Sequence, residues 1–149
     1  MTLSLRVITV LCAACAWLTA WAGPAEEANA VVDRWSATYS ANDAEALVGL
    51  YAADAILLGT VSPVMSEGTE AIRTYFSRLK GSGNQNTIRE RRVFVLGDAA
   101  VVVTGFYDFS NAQRTPAVRP SRFTMLVSRR GSEWRIAHHH SSPLAPPPK

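Results

Sequence analysis

Residues 130–143, RGSEWRIAHHHSSP, decide the fold class of this chain. Gly131 and Ser132 are turn residues, and the segment after them has the pattern of a strand, so it predicts the second arm of a hairpin. Three earlier segments have the same character and are also separated by turn signals; they are 87–96, 99–109 and 121–130. We predict four strands, of which the last three form an antiparallel meander.

The final strand places its largest apolar side chains on one face. Side chains alternate between the two faces of a strand, so Trp134 and Ile136 mark the face that packs into the core. Strict alternation continues this face through His138 and His140, about 7 Å apart, towards the mouth of a pocket. The opposite face then carries the residues between them, Arg135, Ala137, His139 and Ser141. We predict that His138 and His140 contact a ligand or act as acid and base.

Two other interpretations of these histidines stay open. As a structural pair they would satisfy buried hydroxyl and backbone groups. As metal ligands they lack a third partner, since the motif contains no cysteine and no neighbouring carboxylate. We therefore predict neither a metal site nor a cofactor.

The segments before the strands have helical spacing. Apolar residues three and four apart predict a long helix over 23–41 and a third helix from Thr69 to Leu79. Between them we predict a short helix that ends in a turn at residues 52–54, followed by a short strand over 55–60. Helices followed by an antiparallel sheet indicate an α+β fold, with one sheet face covered and the other left for solvent or a partner.

The first 22 residues have the composition of a signal peptide. Arg6 precedes an apolar run that ends in Ala20-Trp21-Ala22, the pattern of a cleavage site. We predict an exported protein, periplasmic or extracellular, with one domain over 23–143 and a Pro-rich tail over 144–149. A retained anchor and lipidation of Cys15 are the alternatives.

Composition excludes several kinds of chemistry. The two cysteines, Cys12 and Cys15, both lie in the predicted leader, so the mature chain lacks a disulfide and a thiolate nucleophile. The net charge of the 149 residues is only +3. We therefore predict no nucleic-acid partner, and no membrane partner once the leader is removed.

The order of these elements resembles the nuclear transport factor 2-like (SnoaL-like) superfamily. YAADA at 51–55, EGTEAI at 67–72 and RGSEWRI at 130–136 carry the resemblance. LGDAA at 96–100 and WRIAHHHSSP at 134–143 are similar to the branch that contains the association domain of calcium/calmodulin-dependent protein kinase II and its bacterial, SgcJ/EcaC-type relatives. The kinase itself is absent, because the sequence has no Gly-rich loop and no catalytic-loop Asp.

This resemblance implies a cone-shaped α+β barrel. Three N-terminal helices pack on a strongly curved, mostly antiparallel sheet, and a pocket lies inside the cone. The resemblance also implies a homodimer or a higher homo-oligomer that assembles through the open sheet face. It implies a small-molecule ligand as the second partner.

Enzyme motifs of the superfamily are matched poorly. The general base of the steroid isomerases falls on Gly59, and their oxyanion-stabilising tyrosine falls near Trp35. The acidic base of the SnoaL-type cyclases has Asp108 as its nearest candidate, which makes Asp108 the third candidate catalytic residue beside the two histidines. No nucleotide fingerprint supports an oxidoreductase.

Several other side chains are candidates for lining the pocket. They are large aromatic residues and one arginine, and the full ligand-binding set is Trp35, Tyr39, Tyr75, Tyr107, Arg122, His138 and His140. Each aromatic residue is equally explained by simple core packing. The pocket arginines of the kinase association domain correspond to Met125 and Ser141, so that clamp is missing, although Arg122 or Arg119 can reach in from the rim.

Two hypotheses follow from the sequence. The first is a secreted, nonenzymatic domain that binds a small molecule in its cone and self-associates. The second is an isomerase, cyclase or oxidoreductase-like enzyme that uses His138 or His140 for proton transfer. The first is favoured because the known catalytic bases of the superfamily are not matched.

Overall fold

The computed structural model describes residues 22–145. The elements, in chain order, are α1 (Pro24–Ser40), α2 (Ala44–Val48), β1 (Tyr51–Leu58), β2 (Met65–Glu67), α3 (Gly68–Phe76), β3 (Gln85–Gly97), β4 (Ala100–Ser110), β5 (Val118–Arg130) and β6 (Glu133–Pro143). The predicted signal peptide, except Ala22, and the end of the Pro-rich tail lie outside the described residues. No helix within the described part is long and apolar enough to cross a membrane.

The three helices form where local signals favour them. Pro24 occupies the first turn of α1, and the apolar positions of α1 recur every three or four residues, so that Ala28, Val31, Val32 and Trp35 are all buried. The side chain of Asp43 caps α2 by accepting a hydrogen bond from the backbone N–H of Ala46 at 3.0 Å.

The six strands form one open sheet in the order β2-β1-β6-β5-β4-β3. Strands β3 to β6 pair in sequence as antiparallel neighbours, and β1 lies parallel to β6. Helix α1 packs across β3 and β4, and α3 packs against β1 and β2. We call the helix-covered side the inner face and the other side the outer face. The predicted α+β fold is confirmed, with helices packed on a mostly antiparallel sheet that does not close.

The start of the sheet corrects one prediction. Residues 52–54 were expected to form a turn, but β1 begins at Tyr51. Tyr51 and Ala52 are buried in the core, and Tyr51 is in register with Ile136 of β6. Burial and strand pairing therefore outweigh the helix-like composition of this segment. The short edge strand β2 was not predicted at all.

A β-bulge in β6 corrects a second prediction, on which the histidine assignments depended. Leu126 of β5 pairs with His138, whereas the next residue, Val127, pairs with Ile136. Ala137 is therefore an extra residue, and it reverses the alternation of side chains beyond it. His139 is buried with 1% exposure, while His140 is exposed. The expectation that His138 and His140 continue the face of Trp134 and Ile136 is wrong.

Candidate functional site

A cavity of about 280 Å³ lies between the helices and the inner face of the sheet. We call it the cone cavity. Its apolar walls come from α1, α3 and β4, through the side chains of Trp35, Tyr39, Tyr75, Phe76, Tyr107 and Phe109. Its polar lining includes Thr60, Asn84, His139 and Ser141. A volume of this size suits a small organic molecule.

The aromatic wall is built from side chains that the sequence had suggested. Trp35 and Tyr39 are one helical turn apart in α1 and stack with ring centroids 5.4 Å apart. The Trp35 ring also meets His139 edge to face at 5.1 Å. The structure thus places Trp35, Tyr39, Tyr75 and Tyr107 together around the cavity, and their role in binding a ligand stays a prediction.

Gly59 gives the wall its shape near β1. A Cβ atom at this position would lie 2.2 Å from the ring of Tyr75, a distance that no real contact allows. The absence of a side chain at Gly59 therefore lets Tyr75 pack directly against the backbone. Gly59 is thus a point of close approach between the backbone and a wall side chain.

A chain of hydrogen bonds begins behind the aromatic wall. The indole Nε1–H of Trp35 donates to the hydroxyl oxygen of Tyr51 at 2.8 Å. The same hydroxyl lies 2.9 Å from Nδ1 of His139. Tyr51 and His139 are both buried, so these bonds satisfy polar groups that water does not reach.

The chain continues from His139 into the cavity. Nε2 of His139 lies 3.4 Å from the hydroxyl of Tyr107, which donates to Oγ of Ser141 at 2.5 Å. The hydroxyl of Ser141 is in turn bonded to that of Thr60. We call the six linked residues, Trp35, Tyr51, His139, Tyr107, Ser141 and Thr60, the hydroxyl chain.

The hydroxyl chain is uncharged at neutral pH. The pKa of His139 is lowered to about 3, mainly by burial and then by the charges of His138 and His140. Burial raises the pKa values of Tyr51 and Tyr107 well above that of free tyrosine. Because both ring nitrogens of His139 are already bonded, this imidazole has no free lone pair to take a proton from a ligand.

The rim of the cone cavity carries positive charge. Arg78, Arg114 and Arg119 are among its lining residues, and no Asp or Glu of the described chain is. None of these three arginines takes part in an ion pair within residues 22–145. Arg114 and Arg119 also lower the pKa of the Tyr39 hydroxyl, although burial raises it to about 12.

Four predicted site residues lie away from the cone cavity. His138, His140 and Arg122 do not line it, and Arg122 and His140 border a groove on the outer face. Asp108 is also absent from the lining and lies 3.3 Å from Nε of Arg89. For the two histidines the reason is the bulge at Ala137, and for Arg122 and Asp108 it is their alternation with the inward-facing Phe123 and Tyr107.

The sequence analysis did not assign His139, Ser141, Thr60 or Tyr51 to the site. His139 and Ser141 were placed on the opposite face because the bulge has no signature in the sequence. Tyr51 was assigned to the end of a helix. Of the rim arginines, only Arg119 had been considered, as an alternative to Arg122, and it does line the cavity.

An open, mostly antiparallel sheet with helices over a cavity on one face defines the cone-shaped α+β class of folds. Within this class the chain belongs to the SnoaL-like domain family, whose model matches residues 28–146. No curated protein sequence matches the chain.

Solved structures agree with this assignment. A calcium/calmodulin-dependent protein kinase II association domain-like protein from Xanthomonas campestris is 30% identical, with a TM-score of 0.73 over 83% of this chain and 93% of that one. A scytalone dehydratase-like protein from Novosphingobium aromaticivorans has a TM-score of 0.67 at 10% identity, covering 80% and 83% of the two chains. A ketosteroid isomerase-like protein from Erwinia carotovora atroseptica has a TM-score of 0.64 at 18% identity, covering 82% and 97%. The last two share the fold alone.

Proposed function

We propose that this protein is an exported, nonenzymatic domain that holds a small molecule in the cone cavity and self-associates through the outer face of its sheet. The observation that carries the proposal is the state of His139. It is the only described lining residue whose ordinary pKa lies near neutrality, yet it is neutral and bonded through both nitrogens. The cavity therefore has the groups to hold a ligand but no free acid or base to transform one.

The lining favours a flat, largely apolar ligand. Trp35, Tyr39 and Tyr107 offer ring faces and edges, which pack well against an aromatic or alicyclic body. The rim arginines disfavour a cationic ligand, because no carboxylate in the lining would compensate its charge.

The residues proposed for the enzyme hypothesis do not line the cone cavity. His138, His140 and Asp108 do not face the cavity, so they are not positioned to exchange protons with a molecule inside it. The dehydratase-like and isomerase-like neighbours share the fold at low identity and add no catalytic group to this chain.

Self-association is proposed through the centre of the outer face. Val102 and Leu126 are paired across β4 and β5 on the side that the helices leave uncovered, and both are half-buried in the isolated chain. Thr104 and Thr124 form the next row and are bonded to each other at 3.0 Å. A second copy of the chain would cover this mixed apolar and hydroxyl surface by the same surface of its own, which gives a symmetric dimer.

A native mass spectrum of the protein recovered from an exported fraction tests these statements together. We expect a chain that starts at Gly23, a dimer or larger assembly, and an additional small mass for the retained ligand. A Gly59→Ala variant should lose that mass, because its Cβ pushes Tyr75 towards the cavity. Gly49→Ala is the matched control, since its Cβ would meet only backbone atoms of α2, the nearest at 3.3 Å, and Gly49 does not line the cone cavity.

The result decides between the two functions. A co-purified ligand (below, the passenger) that is present in the wild type and in Gly49→Ala but absent from Gly59→Ala supports binding in the cone cavity. An assembly without any passenger contradicts tight binding. A passenger retained equally by both variants would show that the ligand lies elsewhere.

A further inference from the structure

In the hydroxyl chain each residue from Trp35 to Tyr107 donates a hydrogen bond to the next, and Trp35 sets this direction. The indole of Trp35 has only an N–H and can only donate, so the oxygen of Tyr51 is its acceptor. The single hydroxyl proton of Tyr51 is not used in that bond and is available to Nδ1 of His139, 2.9 Å away. A neutral imidazole that accepts at Nδ1 carries its proton on Nε2.

The second half of the chain has the same direction. Nε2–H of His139 faces the oxygen of Tyr107, and the Tyr107 hydroxyl donates to Ser141. Ser141 is bonded to Thr60, and both hydroxyls line the cone cavity. Whichever of these two donates to the other, one hydroxyl proton is left over at the cavity. A further bond to the neighbouring Tyr75 would pass that surplus to the Tyr75 hydroxyl, which also lines the cavity.

We propose that the floor of the cone cavity, formed by the hydroxyls of Thr60, Ser141 and the neighbouring Tyr75, is a hydrogen-bond donor that selects ligands with a carbonyl or similar proton-free acceptor oxygen at their inner end. This inference rests on the proposed function and adds the chemical class of the ligand. Trp35 and Tyr51 are its positioning residues, since they fix the tautomer of His139 and through it the polarity of a surface that Tyr51 does not line.

The polarity of the floor affects ligand affinity, because a ligand without an acceptor leaves the hydroxyl proton without a hydrogen bond. A buried hydroxyl proton that meets an apolar group stays unsatisfied, which disfavours that ligand by more than a hydrogen bond ordinarily contributes. A ligand that differs only by a missing acceptor should therefore bind about tenfold more weakly.

The test uses two probes of the same shape on the full chain. 2-Acetylnaphthalene presents a carbonyl oxygen, and 2-isopropenylnaphthalene has a CH₂ group in its place. Calorimetric titration should show about tenfold tighter binding of the ketone by the wild type. Tyr51→Phe should reduce this preference to less than threefold, because His139 is then free to move its proton to Nδ1 and reverse the bonds beyond it. Thr74→Val is the matched control: it removes a hydroxyl of α3 that donates to the backbone oxygen of Glu70 and does not line the cavity, so it should leave the preference unchanged.

The tautomer of His139 gives a second readout that needs no ligand. The chain has three histidines, so a variant with His138→Gln and His140→Gln contains His139 alone. Its ring ¹⁵N shifts should show an unprotonated Nδ1 and a protonated Nε2. The opposite tautomer overturns the proposal even if Tyr51→Phe does not fold.

The other outcomes separate this inference from the proposed function. Equal affinity for the two probes overturns the donor floor but leaves binding in the cone cavity intact. If neither probe binds while the native mass spectrum shows a passenger, the ligand class is wrong and the proposed function stands. If both the probes and the passenger are absent, the proposed function fails as well.

Discussion

The two sides of β6 beyond Ala137 differ in chemistry although their residues alternate in the same short segment. His139 and Ser141 face the core and belong to a closed hydrogen-bond chain, and His139 is held neutral. His140, between them, is exposed beside an outer groove. One extra residue in the strand decides which histidine is inside. Residue type alone therefore does not identify a site in a sheet protein, since the face on which each residue lies must be known first.

The largest expected effect is on stability, when the side chain of each histidine is removed in turn. His139→Ala should lower the free energy of unfolding by about 2–4 kcal/mol, because it leaves a cavity and removes partners from buried Tyr51 and Tyr107. His140→Ala should change it by about 0.5 kcal/mol or less, since its side chain is exposed. Chemical denaturation followed by circular dichroism measures both.

The reverse order of effects would contradict the bulge. If His140→Ala were the destabilising change, strict alternation from Trp134 would be correct and Ala137 would be an ordinary strand residue. His138→Ala, on the same side as His140, serves as the matched control and should also have a small effect.

The fold was largely predictable because its signals are local. Helical spacing around Trp35 and turn residues such as Gly97 and Gly131 define α1 and the long hairpins within a few residues of their observed ends. The boundary at Tyr51 was not predictable, since this residue joins a strand only through pairing with Ile136, far along the chain. Tertiary contacts settled what local composition left ambiguous.

The site was predictable only where helices and regular strands supply it. Trp35, Tyr39 and Tyr107 follow from periodicity, and the structure places them in the wall. His139 and Ser141 come after the bulge at Ala137 in the chain. That bulge depends on how β6 pairs with β5, and no pattern in the sequence of β6 alone predicts it. The sequence analysis placed His138 and His140 on the inner face, whereas the structure places His139 there.

The free energy of unfolding should also depend on pH through His139, with a smaller effect than that of removing its side chain. The unfolded chain protonates this imidazole below about pH 6.5, while the folded chain keeps His139 neutral down to about pH 3. The unfolded state binds more protons in that window, so the free energy of unfolding falls as the pH falls, by up to about 1.4 kcal/mol per unit. Above pH 6.5 the contribution is fully present.

Matched glutamine variants isolate this slope. Denaturation between pH 4 and 6.5 should be steeper in pH for the wild type and for His140→Gln than for His139→Gln. Identical slopes in all three would mean that His139 titrates normally, which contradicts its burial in a neutral state.

The outer face is tested by weakening its apolar row. Leu126→Ala should raise the dimer dissociation constant about tenfold, because a truncated side chain at the centre of an interface typically costs more than 1 kcal/mol. Val64→Ala removes an exposed apolar side chain from the loop before β2 and should have no such effect. Sedimentation at several concentrations measures both. Unchanged association of Leu126→Ala would place the interface elsewhere.

The smallest expected effect compares two arginines of β5 that lie on opposite faces of the sheet. Arg119 lines the cone cavity and Arg122 borders the outer groove. Both are exposed, so solvent screens their interaction with a ligand. Arg119→Gln should therefore weaken the binding of 2-naphthoate only about twofold to threefold, in a manner that disappears at high salt, whereas Arg122→Gln should leave it unchanged. Equal losses in the two variants would show that the charge acts through the net field of the protein and not through the rim. A loss with Arg122→Gln alone would place the ligand in the outer groove and contradict binding in the cone cavity.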